Sequence, residues 1–153
     1  MHEESDVDRQ AFQGWLDRYV EAWKSYDEQA IGDLFSENVE YRYHPQDDPL
    51  RGRDAVVRDW TENKDDAGTY DARYEPAAID GDTYVARGVS EYFDDQHKLR
   101  DEYHNVYFIK FDGEGRATEF IEYWIQTREM RKRLIDATVE KKIAEMQAAQ
   151  SQA

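Results

Sequence analysis

Glu119-Phe120-Ile121-Glu122-Tyr123-Trp124-Ile125 is the last strand-like run before a helical tail, and its alternation decides how the sheet must face. Glu122 stands two residues from Phe120 and two from Trp124, so a strand here puts those three side chains on one face. If that face is the inner one, the chain carries an aromatic pocket with an acid in it. The opposite face holds Ile121, Tyr123 and Ile125 and is the more apolar. The pattern alone therefore favours burying the isoleucines and leaving Glu122 in solvent.

Working back from this run, the chain reads as consecutive strands separated by turns. Asp112-Gly113-Glu114-Gly115 precedes it, and a long run from Arg100 to Phe111 comes before that turn. Asp94-Asp95-Gln96-His97 separates that run from Tyr84–Phe93, and Asp80-Gly81 is a hairpin signal following Tyr70, Ala72 and Tyr74. Upstream the period changes. Phe12, Trp15, Leu16, Tyr19, Val20 and Trp23 form one stripe of an amphipathic helix over about residues 7–25. Asp27 reads as the N-cap of a short second helix carrying Ala30, Ile31, Leu34 and Phe35. Val39, Tyr41 and Tyr43 alternate as a strand ended by Pro45, and Gly52 opens a third helix with Val56, Val57 and Trp60. Helices followed by an antiparallel meander predict an α+β architecture, one curved sheet wrapped on a helical layer. After Arg128 a thin stripe of Ile135, Val139, Ile143 and Met146 predicts a C-terminal helix. The expected division is a domain over residues 1–128 and a helical extension over 129–153.

The late strands are apolar on both faces. Tyr103, Asn105, Tyr107, Ile109 and Phe111 share one side, and Val106 and Phe108 lie on the other. A sheet wet on one side would alternate apolar with polar, so both faces need a cover. The helical layer supplies one. The other is the folded-back C-terminal helix or a second copy of the chain, and a homodimer through the outer sheet face is the expected solution.

Composition narrows the function classes. A net charge of −15, from 35 acidic and 20 basic residues, opposes contact with nucleic acid phosphates or anionic lipid. The absence of cysteine removes thiol nucleophiles, disulfides and Cys-ligated metals. The four histidines lack metal-site spacing, and neither a glycine-rich phosphate loop nor a Gly-x-Ser-x-Gly elbow occurs. No metal and no cofactor is expected. No apolar run is long enough to span a bilayer, and the acidic start of the chain does not read as a secretory signal, so a cytoplasmic location is expected. With 11 Tyr, 6 Phe and 4 Trp, the core must be built largely of rings.

Several ordered segments resemble the nuclear transport factor 2-like proteins. They are Tyr19-Val20-Glu21-Ala22-Trp23 with Asp27, Leu34-Phe35-Ser36-Glu37-Asn38-Val39, and Tyr41-Arg42-Tyr43-His44-Pro45. Pro49-Leu50-Arg51-Gly52-Arg53-Asp54-Ala55-Val56, Phe111-Asp112, Gly115-Arg116 and Glu122-Tyr123-Trp124 complete the set. The resemblance covers about residues 10–128. It implies a cone-shaped, mixed but mostly antiparallel sheet curled over three N-terminal helices, the cystatin-like α+β barrel, with a cavity inside. The superfamily includes ketosteroid isomerases, SnoaL-like polyketide cyclases, scytalone dehydratase and limonene-epoxide hydrolase, and also non-enzymes. The resemblance turns Glu122 inward, because in the epoxide hydrolases an acid lies in the cavity at that position. Tyr41 matches a cavity tyrosine, and Tyr43 replaces the asparagine that follows it. The hydrolases' Arg-x-Asp pair falls near Gly88-Val89-Ser90, so both charged groups of the water-activating relay are missing. The general-base Asp of the isomerases and cyclases, and the dehydratase's His pair, find no evident match.

With the last strand so oriented, Glu122 and Tyr41 are the candidate catalytic residues. Tyr19, Tyr43, Trp60, Ser90, Tyr103, Asn105, Phe120 and Trp124 are the candidate lining, and Gly88 would leave room for a ligand. A carboxyl among rings should have a raised pKa, which suits proton transfer near neutrality, and a tyrosine could donate to an enolate-like oxygen. The tyrosines serve equally well as core residues with satisfied hydroxyls. Three functions fit: an isomerase, cyclase or dehydratase acting on a small hydrophobic carbonyl compound, a non-catalytic small-molecule binder, and a structural dimer whose cavity is filled by its own side chains.

Overall fold

The computed structural model describes residues 8–151, with backbone alone at 128–131. Helix α1 (Arg9–Ser25) starts where the Asp8 carboxylate accepts from the Ala11 amide, and it ends at Tyr26 in a left-handed conformation. Asp27 then caps α2 (Glu28–Gly32) by accepting from the Ala30 amide. This helix is shorter than its apolar pattern predicts. Phe35 is not helical but opens β1 (Phe35–Arg42), because its partner is Ala117, far along the chain.

The remaining elements are β2 (Leu50–Arg51), α3 (Arg53–Glu62), β3 (Tyr70–Asp80), β4 (Thr83–Phe93), β5 (Leu99–Phe111), β6 (Ala117–Gln126) and α4 (Arg128–Ser151). The two-residue β2 is not visible in the sequence pattern. The strands form one mixed, unclosed sheet in the order β2-β1-β6-β5-β4-β3. Every neighbouring pair is antiparallel except β1 with β6. The Asp80-Gly81 signal holds: β3 turns into β4 there, with Gly81 at positive φ. Pro76 does not end β3; the strand continues past it with a register irregularity between Pro76 and Ala78.

The concave side of the sheet takes α1. Phe12, Trp15, Leu16 and Tyr19 pack there with Tyr74, Tyr84, Tyr107, Ile109 and Phe120. Each large apolar side chain buried this way contributes roughly 1.5–3 kcal/mol. The rings meet mostly edge to face, as in Phe12 with Tyr84 at 5.3 Å and Trp15 with Phe111 at 5.3 Å. The Trp15 indole N–H donates to the Leu34 carbonyl at 3.1 Å, so the layer is apolar without leaving that donor stranded.

Among the described residues nothing covers the convex side. Phe108, Tyr123 and Ile125 are exposed on it, Ile125 to 60%. The C-terminal helix does not fold back over them: every side chain from Lys132 to Ser151 is exposed, including Ile135, Val139, Ile143 and Met146. No helix among the described residues is long and apolar enough to cross a membrane.

Candidate functional site

Strand register settles the orientation of Glu122. On β6, Phe120 pairs with Ile109, Glu122 with Tyr107 and Trp124 with Asn105. Tyr107 and Ile109 are buried beneath α1, so Glu122 points the same way. The more apolar stripe, Ile121-Tyr123-Ile125, faces outward instead. Around Glu122 the sheet and helices enclose a cavity of about 530 Å³, within the size range of small-molecule sites.

The cavity is built in tiers. At the base, Phe120 is fully buried and stacks on Tyr41, with centroids 4.6 Å apart and planes 2° from parallel, and on Tyr19 at 5.4 Å. Above it, Ser90 Oγ donates to Asn105 Oδ1 at 2.9 Å, and Asn105 Nδ2 donates to Glu122 Oε1 at 2.9 Å. Three adjacent strands thus supply one hydrogen-bonded chain aimed at the carboxylate. Beside it, the Tyr19 and Tyr41 hydroxyls are 3.2 Å apart. Two phenols own two protons and spend one on each other, so one O–H remains to donate into the cavity. At the mouth, Tyr43 donates to Asp59, and Asp65 accepts from the Trp23 indole and the Tyr26 hydroxyl.

Burial raises the Glu122 carboxyl from its ordinary 4.5 to about 7, with the Asn105 amide pulling weakly the other way. Burial also raises the Tyr19, Tyr41 and Tyr107 phenols well above their ordinary range, and the Glu122 charge adds to the rise. These hydroxyls stay protonated at neutral pH and act as donors. Glu122 is the group poised to exchange a proton there.

Of the residues singled out from the sequence, Glu122, Tyr41, Tyr19, Tyr43, Trp60, Ser90, Tyr103, Asn105 and Trp124 all border the cavity. Phe120 does not. It lies under Tyr41 as a floor. Trp124 stands at the mouth, 43% exposed, with its indole N–H 3.4 Å from His44 Nδ1. Gly88 gives no room to a ligand. A Cβ there would lie 2.1 Å from the Arg73 carbonyl oxygen and 2.8 Å from Tyr74 Cα, so the glycine lets β3 come close. The void bordered by Tyr41, Tyr103 and Trp124 also argues against a cavity packed solid by its own side chains.

The profile of the SnoaL-like domain matches residues 16–124, most of the chain and all the sheet residues just described. The chain belongs to the SnoaL-like family. Solved structures agree on the fold. A domain of unknown function with a cystatin-like fold from Nostoc punctiforme superposes with a TM-score of 0.65 at 15% identity, covering 98% of this chain and 100% of that one. A candidate ketosteroid isomerase from Kribbella flavida gives 0.58 at 17% identity, covering 79% and 82%. The epoxide hydrolase/cyclase-like enzyme SalBIII, of pyran ring formation in the polyether salinomycin, gives 0.58 at 20% identity, covering 78% and 94%. No curated protein matches the chain.

Within this SnoaL-like cavity, Ser90 of β4 borders the void and Gly88 does not. Tyr74, Tyr92 and Tyr107 also border the cavity but were not singled out from the sequence. Their signal was there: Tyr107 shares strand parity with Asn105, and Tyr92 with Ser90. Asp59, Asn63, Asp65 and Asp101, which ring the mouth, gave no such signal, since each looks like an ordinary solvated residue. Among the described residues, no group of three His, Asp or Glu side chains is arranged to hold a metal ion.

Proposed function

We propose that this SnoaL-like chain binds a small hydrophobic carbonyl compound and moves a proton on it, in the manner of an isomerase, cyclase or dehydratase, without a cofactor. The observation that carries this is the placement of Glu122: an inward carboxyl that titrates near neutrality, facing a free phenol proton across one cavity. The Glu122 carboxylate takes the proton from the carbon next to the carbonyl. The electron pair moves onto the carbonyl oxygen, which accepts a hydrogen bond from the Tyr19–Tyr41 pair. The neutral Glu122 acid then returns the proton to carbon. Asn105 keeps the carboxylate aimed, and Tyr103 and Trp124 hold the ligand at the mouth. Binding without chemistry is the second reading, favoured by Gly88 and Ser90 where a charged relay would stand. Deuterium exchange at the α-carbon of small ketones, followed by NMR in heavy water, separates the two. Exchange should fall at least ~100-fold in Glu122→Gln, the usual range for a lost acid–base group. Exchange unchanged by that substitution, with the fold retained, removes Glu122 from any chemistry.

The outer sheet face would pack against a second copy. Its exposed Phe108, Tyr123 and Ile125, and the unpartnered stripe on α4, support this. Charge supports it as well. By sequence, α4 carries six Lys or Arg and four Asp or Glu, whereas the whole chain has 20 and 35. A weakly basic helix thus extends from a strongly acidic body.

A further inference from the structure

We propose that the ligand of this cavity is an organic cation, a hydrophobic molecule bearing a protonated or quaternary ammonium. This deepens the preceding reading and rests on the same cavity being the binding site. Three features converge on it.

The first is the wall. Trp124 meets Tyr103 edge to face at 5.2 Å, Tyr103 meets Tyr92 at 5.8 Å, and Tyr92 meets Trp23 at 6.1 Å. All four rings line the cavity, and the π faces of such rings carry the negative end of their quadrupoles. Such aromatic enclosures attract cations by their quadrupoles and do not attract anions. The mouth already seats one ammonium this way: Lys64 Nζ lies 5.7 Å over the Tyr26 ring.

The second is the sign of the fixed charge. Glu122 lies inside, and Asp59, Asp65 and Asp101 border the opening. Among the described residues Arg100 is the only Lys or Arg of the lining, and Asp101 engages it at 2.9 Å. An anionic ligand would have to pass and then join this set of carboxylates. A cation is drawn in by them.

The third is the treatment of the mouth carboxylates. Asp59 and Asp65 accept hydrogen bonds from phenols or an indole of the wall itself. A donor hydrogen-bonded to a carboxylate is polarised toward its ring, which strengthens the attraction of that ring for a cation. Glu122, held by the neutral Asn105 amide, lacks a cationic partner among the described residues. A cation elsewhere in the same cavity offsets that charge without displacing Glu122 from the reacting carbon.

The test is a binding titration of the full chain with three probes of nearly equal shape: benzyltrimethylammonium, its neutral carbon isostere neopentylbenzene, and the anion phenylacetate. Quenching of the cavity tryptophans reports occupancy, since Trp23, Trp60 and Trp124 all line it. Benzyltrimethylammonium should bind about tenfold or more tighter than neopentylbenzene, a ratio typical of a desolvated aromatic site, and phenylacetate should bind weakest. The preference should shrink in Glu122→Gln and again in Trp124→Leu, both checked for folding by circular dichroism. Equal or tighter binding of neopentylbenzene overturns the proposal, as does failure of benzyltrimethylammonium to bind at millimolar concentration. No turnover is needed. If α-proton exchange depends on Glu122 while all three probes bind alike, the proton-transfer reading stands and this one falls. If the cation is preferred and no ketone exchanges, the opposite holds.

Discussion

Replacing Glu122 by Gln should make the protein more stable at neutral and alkaline pH and leave it nearly unchanged below about pH 4.5. Glutamine keeps the side-chain volume and the oxygen that accepts from Asn105, and it removes the charge. The carboxyl moves from an ordinary 4.5 to about 7 on folding. Each tenfold change in proton affinity is worth about 1.4 kcal/mol, so the whole displacement comes to ~3 kcal/mol. Between those two values the unfolded chain gives up this proton before the folded one does. The folded state then binds more protons, and stability declines as pH rises. The penalty is absent below about pH 4.5, grows through the window, and is complete above about pH 7. Glu122 keeps some contact with solvent, which trims the expected gain to ~2–3 kcal/mol. Urea unfolding of both proteins from about pH 4 to about pH 8 measures it, and other titrating groups cancel in the difference. A difference that does not vary with pH would refute the claim that folding takes this carboxylate out of water.

Other expectations follow from the packing. Gly88→Ala forces a methyl against the Arg73 carbonyl and Tyr74, so thermal melts should show a loss of at least ~2 kcal/mol or failure to fold. Phe120→Ala empties the floor under Tyr41 and should cost about 3–5 kcal/mol in urea unfolding. Asn105→Leu removes the acceptor of the Ser90 hydroxyl, costing ~0.5–1.5 kcal/mol, and removes the Asn105 hydrogen bond that holds the Glu122 carboxyl down. Its titration, followed by carbon NMR, should move upward. Ile125→Glu places a charge on the exposed outer face, and light scattering should report half the mass of the parent protein if two copies meet there.

Much of this architecture was legible because it is local. The α1 stripe, the Asp27 cap and the Asp80-Gly81 turn each depend on residues close in sequence, and each sits where the pattern put it. What depends on distant partners was not legible. Phe35 follows a short helix without a break in its apolar pattern, and only pairing with Ala117 makes it a strand. Glu122 is the sharper case. Period-2 spacing groups it with Phe120 and Trp124 but cannot say which face is covered. The stripe Ile121-Tyr123-Ile125 suggests the wrong answer, because nothing among the described residues covers it. Family resemblance supplied the orientation that alternation could not. The mouth carboxylates were invisible for a third reason: Asp59 and Asp65 matter through what they accept from Tyr43, Trp23 and Tyr26, and such contacts leave no periodicity.

The parallel seam between β1 and β6 has a bearing on synthesis. Residue 35 leaves the ribosome long before residue 117 exists, and at roughly 5–20 residues per second the delay is on the order of 4–16 s. Throughout that interval Phe35 and Tyr41 belong to a nascent chain that has no floor ring to meet and no central strand to join. The two halves of the sheet can join only after β6 has been made. Any premature stop upstream of β6 therefore releases an aromatic-rich fragment that cannot complete a sheet, a natural client for chaperones and proteases.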